Sequence, residues 1–174
     1  MMGGTMVGAN VILTGCAPDK QIEGLDFSEE ELAYMDEIGE AIIPTTDTPG
    51  AKAAGIGSFM AMMVKSTYTE EQQKSFINGL NKLKHDFKAD TEKDFMDASV
   101  EERTDFLNQV NKRAMNPDAE DNKEDKYILM IKDLTLLGYF TSEIGATQAL
   151  RFVETPGRYE PCIDYKKGDR AWAI

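Results

Sequence analysis

The sequence predicts an all-α protein: a single compact multi-helix domain with an irregular, aromatic C-terminal tail. Three observations point there. Apolar residues recur at helical spacing in several segments. Three of those segments open on a Ser or Thr followed three residues later by Glu or Gln, the pattern of a capping box. No stretch shows the sustained apolar/polar alternation of a half-buried strand.

Ser28-Glu29-Glu30-Glu31 starts the first helix, which carries Leu32, Met35, Ile38, Ile42 and Ile43 until Pro44 stops it. The next segment, Pro44-Thr45-Thr46-Asp47-Thr48-Pro49-Gly50, has two prolines and small polar residues and reads as a loop. Ala51 to Tyr68 follows as a short buried helix anchored by Phe59, Met62 and Met63. Thr69 with Gln72 caps a helix whose stripe is Phe76, Leu80, Leu83 and Phe87. Phe95 and Met96, then Ser99 with Glu102, open another, which buries Phe106, Leu107, Val110 and Ala114 before Asn116-Pro117 breaks it. Asp118 to Lys126 is charged and reads as a solvated loop. From Tyr127 the residues Met130, Ile131, Leu134 and Leu137 mark the most apolar helix of the chain, expected to end near Gly138. Beyond it lie a short helical piece, Glu143 to Phe152, and a tail punctuated by Pro156-Gly157, Pro161 and Gly168.

Composition bounds the function. With 174 residues, one core is expected rather than two domains. The formal charge of −12, from 19 basic and 31 acidic residues, argues against nucleic acid, whose phosphates require clustered Lys and Arg. The charge is uneven: between Arg151 and Ile174, Arg151, Arg158, Lys166, Lys167 and Arg170 balance Glu154, Glu160, Asp164 and Asp169. No run approaches the roughly 18 apolar residues of a membrane-spanning helix.

The N-terminus carries a different signal. Met1 to Gly15 has no charged residue and consists largely of Met, Gly, Val, Ala, Ile and Leu, as the apolar core and cleavage region of an export signal do. The lack of a basic residue ahead of it is read as a start downstream of the signal's basic region. Leu13-Thr14-Gly15-Cys16 resembles the bacterial lipobox, in which small residues precede a cysteine whose thiol takes a diacylglycerol. The expected organisation is therefore an export-signal remnant at 1–15, a tether at 16–25 lipidated on Cys16, and a helical domain at 26–174. A Cys16–Cys162 disulfide is the alternative that acylation excludes, and acylation would leave Cys162 as a buried or interface thiol.

Chemistry is sparse. His85, the single histidine, lies between Lys84 and Asp86 on the polar flank of a helix, so no Ser/His/Asp or Cys/His arrangement is expected and no catalytic residue is assigned. Asp118, Glu120, Asn122 and Glu124 alternate as calcium ligands do. Lys123, however, stands where an EF-hand needs glycine and Leu129 where it needs glutamate, and no metal site is assigned. Gly55-Ile56-Gly57 lacks both the preceding strand and the third glycine of a dinucleotide fingerprint. The aromatics Tyr139, Phe140, Phe152, Tyr159, Tyr165 and Trp172 lie among turns. Such residues either wrap back on the core or face a partner, and composition favours the wrap.

Two segments bear a family resemblance. Leu134 to Ala173, with its Gly138-Tyr139-Phe140-Thr141-Ser142 turn, its Pro156-Gly157-x-Tyr159 step and its basic end containing Trp172, resembles the C-terminal part of the gluconate 2-dehydrogenase subunit 3 family. Ile42 to Ala51 is similar to the segment that follows that family's first helix. The resemblance implies a small, non-flavin subunit of a periplasmic, membrane-associated dehydrogenase. Its large partner would be a flavoprotein of the glucose-methanol-choline type that holds FAD, oxidises a sugar or sugar acid and passes electrons to a cytochrome or another acceptor. No cofactor is then expected on this chain. The implied partner-binding residues are Tyr139, Phe140, Thr141, Ser142, Pro156, Gly157, Tyr159 and Trp172, and the implied place is the periplasmic side of a bacterial membrane, where the lipid expected on Cys16 would anchor the chain.

Overall fold

The structure is a computed structural model that describes residues 22, 24–118, 125–155, 157–158 and 162–173. The leader, Cys16 and most of the expected tether lie outside the described residues, as do 119–124, Pro156, Tyr159, Glu160, Pro161 and Ile174.

Ser28, Thr69 and Ser99 each start a helix with a reciprocal capping box. Ser28 Oγ accepts from the Glu31 amide at 3.2 Å while the Glu31 carboxylate accepts from the Ser28 amide at 2.8 Å. Thr69 with Gln72 and Ser99 with Glu102 repeat the arrangement. These caps set the starts of α1 (Glu29–Ile42), α3 (Glu70–Thr91) and α4 (Val100–Met115). With α2 (Ile56–Thr67) and α5 (Tyr127–Thr141) they make five α-helices among the described residues. No β-strand occurs among those residues, where backbone pairing outside helices and turns amounts to an isolated parallel bridge between Arg151 and Trp172. The described part is thus all-helical, as the periodicity predicts.

The core gathers where the apolar stripes meet. α1 packs mainly on α2 and α4, and α5 lies against α2, α3 and α4. α3 contributes Phe76, Leu80, Leu83 and Phe87, and α4 contributes Phe106, Leu107, Val110 and Ala114, all buried as their spacing requires. Each Val, Leu and Phe among them contributes roughly 1.5–3 kcal/mol on leaving water. The rings of Tyr34, Phe95, Phe87 and Phe106 follow one another edge to face with centroids 5.0 to 5.1 Å apart, so the chain's main aromatic cluster is internal rather than in the tail. Arg103 is buried within it: Nε donates to Phe95 O at 2.7 Å, Nη2 to Met96 O at 2.8 Å, and Nη1 meets the Glu37 carboxylate. Burial alone would raise the Glu37 carboxyl, but Lys52 and Arg103 outweigh it and hold the group below its ordinary range.

Several expectations are corrected. The segment 51–68 is not one helix. A 3-10 turn, Lys52–Ala54, precedes α2, and a left-handed Gly55 separates them. The buried face of α2 is Ile56, Gly57, Met60 and Val64, which leaves Met62 exposed and Phe59 and Met63 half-buried. Phe95 and Met96 do not open α4; they form their own 3-10 turn capped by Asp94, whose carboxylate accepts from the Met96 amide at 3.1 Å. Asp125, expected in a solvated loop, has a fully buried side chain whose Oδ2 accepts from Arg113 Nε at 2.8 Å. α5 does not stop at Gly138: it runs on to Thr141, so the expected Gly138–Ser142 turn is mostly its last helical turn. Gly138 is a packing residue there, since a Cβ would stand 2.5 Å from the ring of Phe59 on α2. The piece expected at Glu143–Phe152 ends earlier, in a π-helical turn at Gly145–Ala149.

Candidate partner interface

α5 is apolar nearly all round. Tyr127, Ile128, Ile131 and Leu134 face the core, while Leu136, Leu137 and Phe140 point outward with 37%, 48% and 39% of their surface exposed. Residues three and four apart share a helix face, so these three form one stripe. A helix apolar on every side belongs inside a protein, and here one side is open.

Tyr139, next to this stripe, turns the other way. Its side chain is 2% exposed, and its hydroxyl donates to Pro49 O at 2.6 Å. The Tyr139 and Phe140 rings meet edge to face at 5.2 Å. Tyr139 therefore belongs to the interior and does not itself offer a surface. What it does is join the end of α5 to the loop that follows α1, bringing together the two segments, 42–51 and 134–173, that are far apart in sequence.

That loop is firmly held. Glu40 Oε1 accepts from the Thr45 amide at 2.8 Å and the Thr45 hydroxyl at 2.7 Å, and its Oε2 accepts from the Lys52 amide at 3.1 Å. The Thr45 hydroxyl in turn accepts from the Gly50 amide at 3.0 Å. Gly50 is buried, and a Cβ there would come within 2.3 Å of the Glu40 carboxylate. The outer residues Pro44, Thr45, Thr46 and Asp47 are exposed. Glu40 was not singled out by the sequence reading. One signal for it exists: a carboxylate in the last turn of a helix opposes the helix dipole, so its presence there points to nearby donors.

After α5 the hydroxyls close the helix. Thr141 Oγ1 donates to Leu137 O at 2.7 Å, and Ser142 Oγ donates to Tyr139 O at 2.7 Å while accepting from the Gly145 amide at 3.0 Å. Thr141 and Ser142 thus terminate the helix beside the stripe. The tail then doubles back: Arg151 N donates to Ala171 O at 2.8 Å, Ala173 N donates to Arg151 O at 3.0 Å, and the Arg151 guanidinium lies 4.8 Å from the Trp172 ring centre. Arg170 Nη1 donates to Gln148 O at 2.7 Å. Tyr139 does turn onto the core, but Trp172, Tyr165 and Phe152 remain exposed, so these three do not wrap as composition suggested. Gly157 and Cys162 are exposed too, and Cys162 is a free thiol rather than a buried one. Of the residues expected to meet a partner, Phe140, Thr141, Gly157 and Trp172 are at the surface, Ser142 is half-buried and Tyr139 is inside; Pro156 and Tyr159, like Cys16, lie outside the described residues.

His85 is exposed, its Nδ1 3.3 Å from Asp86. Among the described residues no group of three His, Cys, Asp or Glu side chains is placed to hold a metal, and no helix is long and apolar enough to cross a membrane. One hollow of about 150 Å³, lined by Ala41, Thr104, Asn111 and Lys132 among others, and another of about 180 Å³ beside Phe27 and Lys65, are both below the roughly 300 Å³ at which ligand pockets begin. Neither is lined by a tail aromatic.

Neither a curated protein nor a solved structure matches the chain. The model of one family, gluconate 2-dehydrogenase subunit 3, matches residues 29–157. The match begins at the first residue of α1 and takes in the Glu40 loop, the whole of α5 and the start of the tail. The chain belongs to the gluconate 2-dehydrogenase subunit 3 family, the family of a small subunit of a dehydrogenase complex.

Proposed function

We propose that this chain is the non-catalytic small subunit of a periplasmic dehydrogenase complex. It would bind a large flavoprotein of the glucose-methanol-choline type, which carries FAD and oxidises a sugar or sugar acid, with a cytochrome as one possible electron acceptor. The observation that carries the reading is the open apolar stripe Leu136, Leu137 and Phe140 on a helix otherwise committed to the core, in a chain of this family. A subunit whose core is completed elsewhere leaves such a face for its partner. Thr141 and Ser142 follow the stripe directly in sequence and would supply part of a polar rim.

The leader at 1–15 and Cys16 fit the same reading. Export through the leader would place the complex on the periplasmic side, and a lipid on Cys16 would hold it at the membrane surface. Two or more acyl chains make such anchoring durable where one does not. Aid to the export, folding or anchoring of the large subunit is then the work of this chain.

Purification of the tagged chain from native membranes tests the reading. The expected result is a larger partner with the absorbance of bound flavin, together with a mass for the N-terminal peptide that shows acylated Cys16. Recovery of the chain free of any flavoprotein contradicts it.

A further inference from the structure

The chain ahead of α1 is fastened to the body before the first helix begins. Gln73 on α3 is fully buried, an uncommon place for an amide side chain, and both of its polar ends are used. Oε1 accepts from the Ile22 amide at 2.7 Å, and Nε2 donates to Val64 O of α2 at 2.9 Å. The following residues are held as well. Lys65 Nζ donates to Asp26 Oδ1 at 2.6 Å, and the Phe27 ring stands edge to face with Phe76 of α3, centroids 6.2 Å apart. Gly24 has a left-handed backbone, and the place its Cβ would take is open space. The end of α2 and the start of α3 thus form one corner on which this segment is docked, with Met62, 53% exposed, beside Asp26, Phe27 and Lys65.

This fastening sets a distance. Six residue steps lead from Cys16 to Ile22, and a fully extended run of that length spans about 20 Å at most. Counted to Ser28, the cap of α1, the run is twelve steps and about 40 Å. We propose that Gln73 is a clamp that shortens the lipid tether, and that the α2–α3 corner it marks, with Met62 and Lys65, is the face the domain turns to the lipid bilayer. The inference rests on the lipid proposed for Cys16. It goes beyond that reading by naming the residue that positions the anchor and the surface the anchor brings to the membrane. Releasing Ile22 would leave the buried Gln73 Oε1 without its donor, which opposes detachment. An acyl chain holds Cys16 at the bilayer, so the corner stays within the shorter reach. The far end of α3 is free to stand off it: Asp90 lies seventeen residues beyond Gln73, about 25 Å along the helix axis.

The test uses the full, acylated chain in phosphatidylcholine vesicles containing lipid with a nitroxide headgroup, a quencher of contact range. Cys162→Ser removes the exposed free thiol, and a fluorophore is placed on Met62→Cys or on Asp90→Cys, both exposed positions. Quenching is expected at position 62 and not at 90. A Gly-Ser insertion that doubles the run from Cys16 to Ile22 should remove most of the quenching at 62, whereas the same insertion at Gly24, past the clamp, should leave it unchanged. Gln73→Ala should make the two insertions equivalent. Equal quenching at 62 and 90, or equal loss from the two insertions with Gln73 intact, overturns the inference and leaves the lipid anchor and the flavoprotein partner standing. A Gly24 insertion without effect in folded Gln73→Ala overturns the role of Gln73. A Cys16 that carries no lipid by mass spectrometry overturns the anchor and the inference together.

Discussion

The Tyr139 hydroxyl donates to the Pro49 carbonyl at 2.6 Å, across 90 residues of sequence. That bond ties the end of α5 to the loop after α1, and the Tyr139 ring meets the half-exposed Phe140 ring edge to face. A buried tyrosine thus joins two segments far apart in sequence.

Tyr139→Phe removes the donor and leaves Pro49 O without it. The expected loss is about 1 kcal/mol of stability, the scale of one net hydrogen bond, since the ring still fills its site. Urea unfolding measures it, and hydrogen exchange should show the change concentrated at the loop amides. A loss near zero would mean that the bond is replaced by water.

Asp125 and Arg113 make a second sharp case. The carboxylate is fully buried, with Arg113 at 2.8 Å and Lys82 Nζ at 3.7 Å. Arg113→Met leaves that charge short of its main partner and is expected to cost about 3–5 kcal/mol. The double variant Arg113→Met with Asp125→Asn should recover much of it, because the uncompensated charge is then gone. Equal losses in the single and double variants would contradict the pairing.

Glu102 supplies a pH dependence. The Lys93 hydrogen bond, followed by the Ser99 amide, holds its carboxyl down to about 2 from an ordinary 4.5. A carboxyl depressed in the folded state stabilises the fold above its ordinary value and loses that contribution as pH falls toward the folded value. The melting temperature should therefore decline from about pH 4.5 downward, and Glu102→Gln should show a shallower decline over the same window. Parallel acid profiles for the two proteins would contradict this.

How much of this the sequence discloses depends on the range of the interaction. The capping boxes at Ser28, Thr69 and Ser99 are local, three residues deep, and each is legible and present. The stripes of α3 and α4 are legible for the same reason, because a single period of 3.6 places every member. Gly138 misleads: a glycine after an apolar run reads as a stop, and only the nearness of Phe59 reveals it as a close contact. Asp125 misleads similarly, because its charge suggests solvent while its partners sit on α3 and α4. At the interface, the segment around Phe140 is legible as unusual. The inward turn of Tyr139 is not, since it depends on a bond to Pro49 from 90 residues away, and neither is the role of Glu40, whose acceptors meet donors in the following loop that no helical period places.

The central claim is that the Leu136–Phe140 face of α5 binds a flavin-containing subunit. Its most direct test is purification of tagged wild-type chain and of the double variant Leu137→Ser, Phe140→Ser from the same native membranes, with flavin absorbance measured on each eluate. Leu137 and Phe140 are 48% and 39% exposed and Phe140 packs edge to face on Tyr139, so the variant should melt somewhat below the wild type while still folding, which its melting curve checks. The account predicts a flavin-bearing large partner with the wild type and its loss from the folded variant. Equal flavin in both eluates, or none with the wild type, would contradict it.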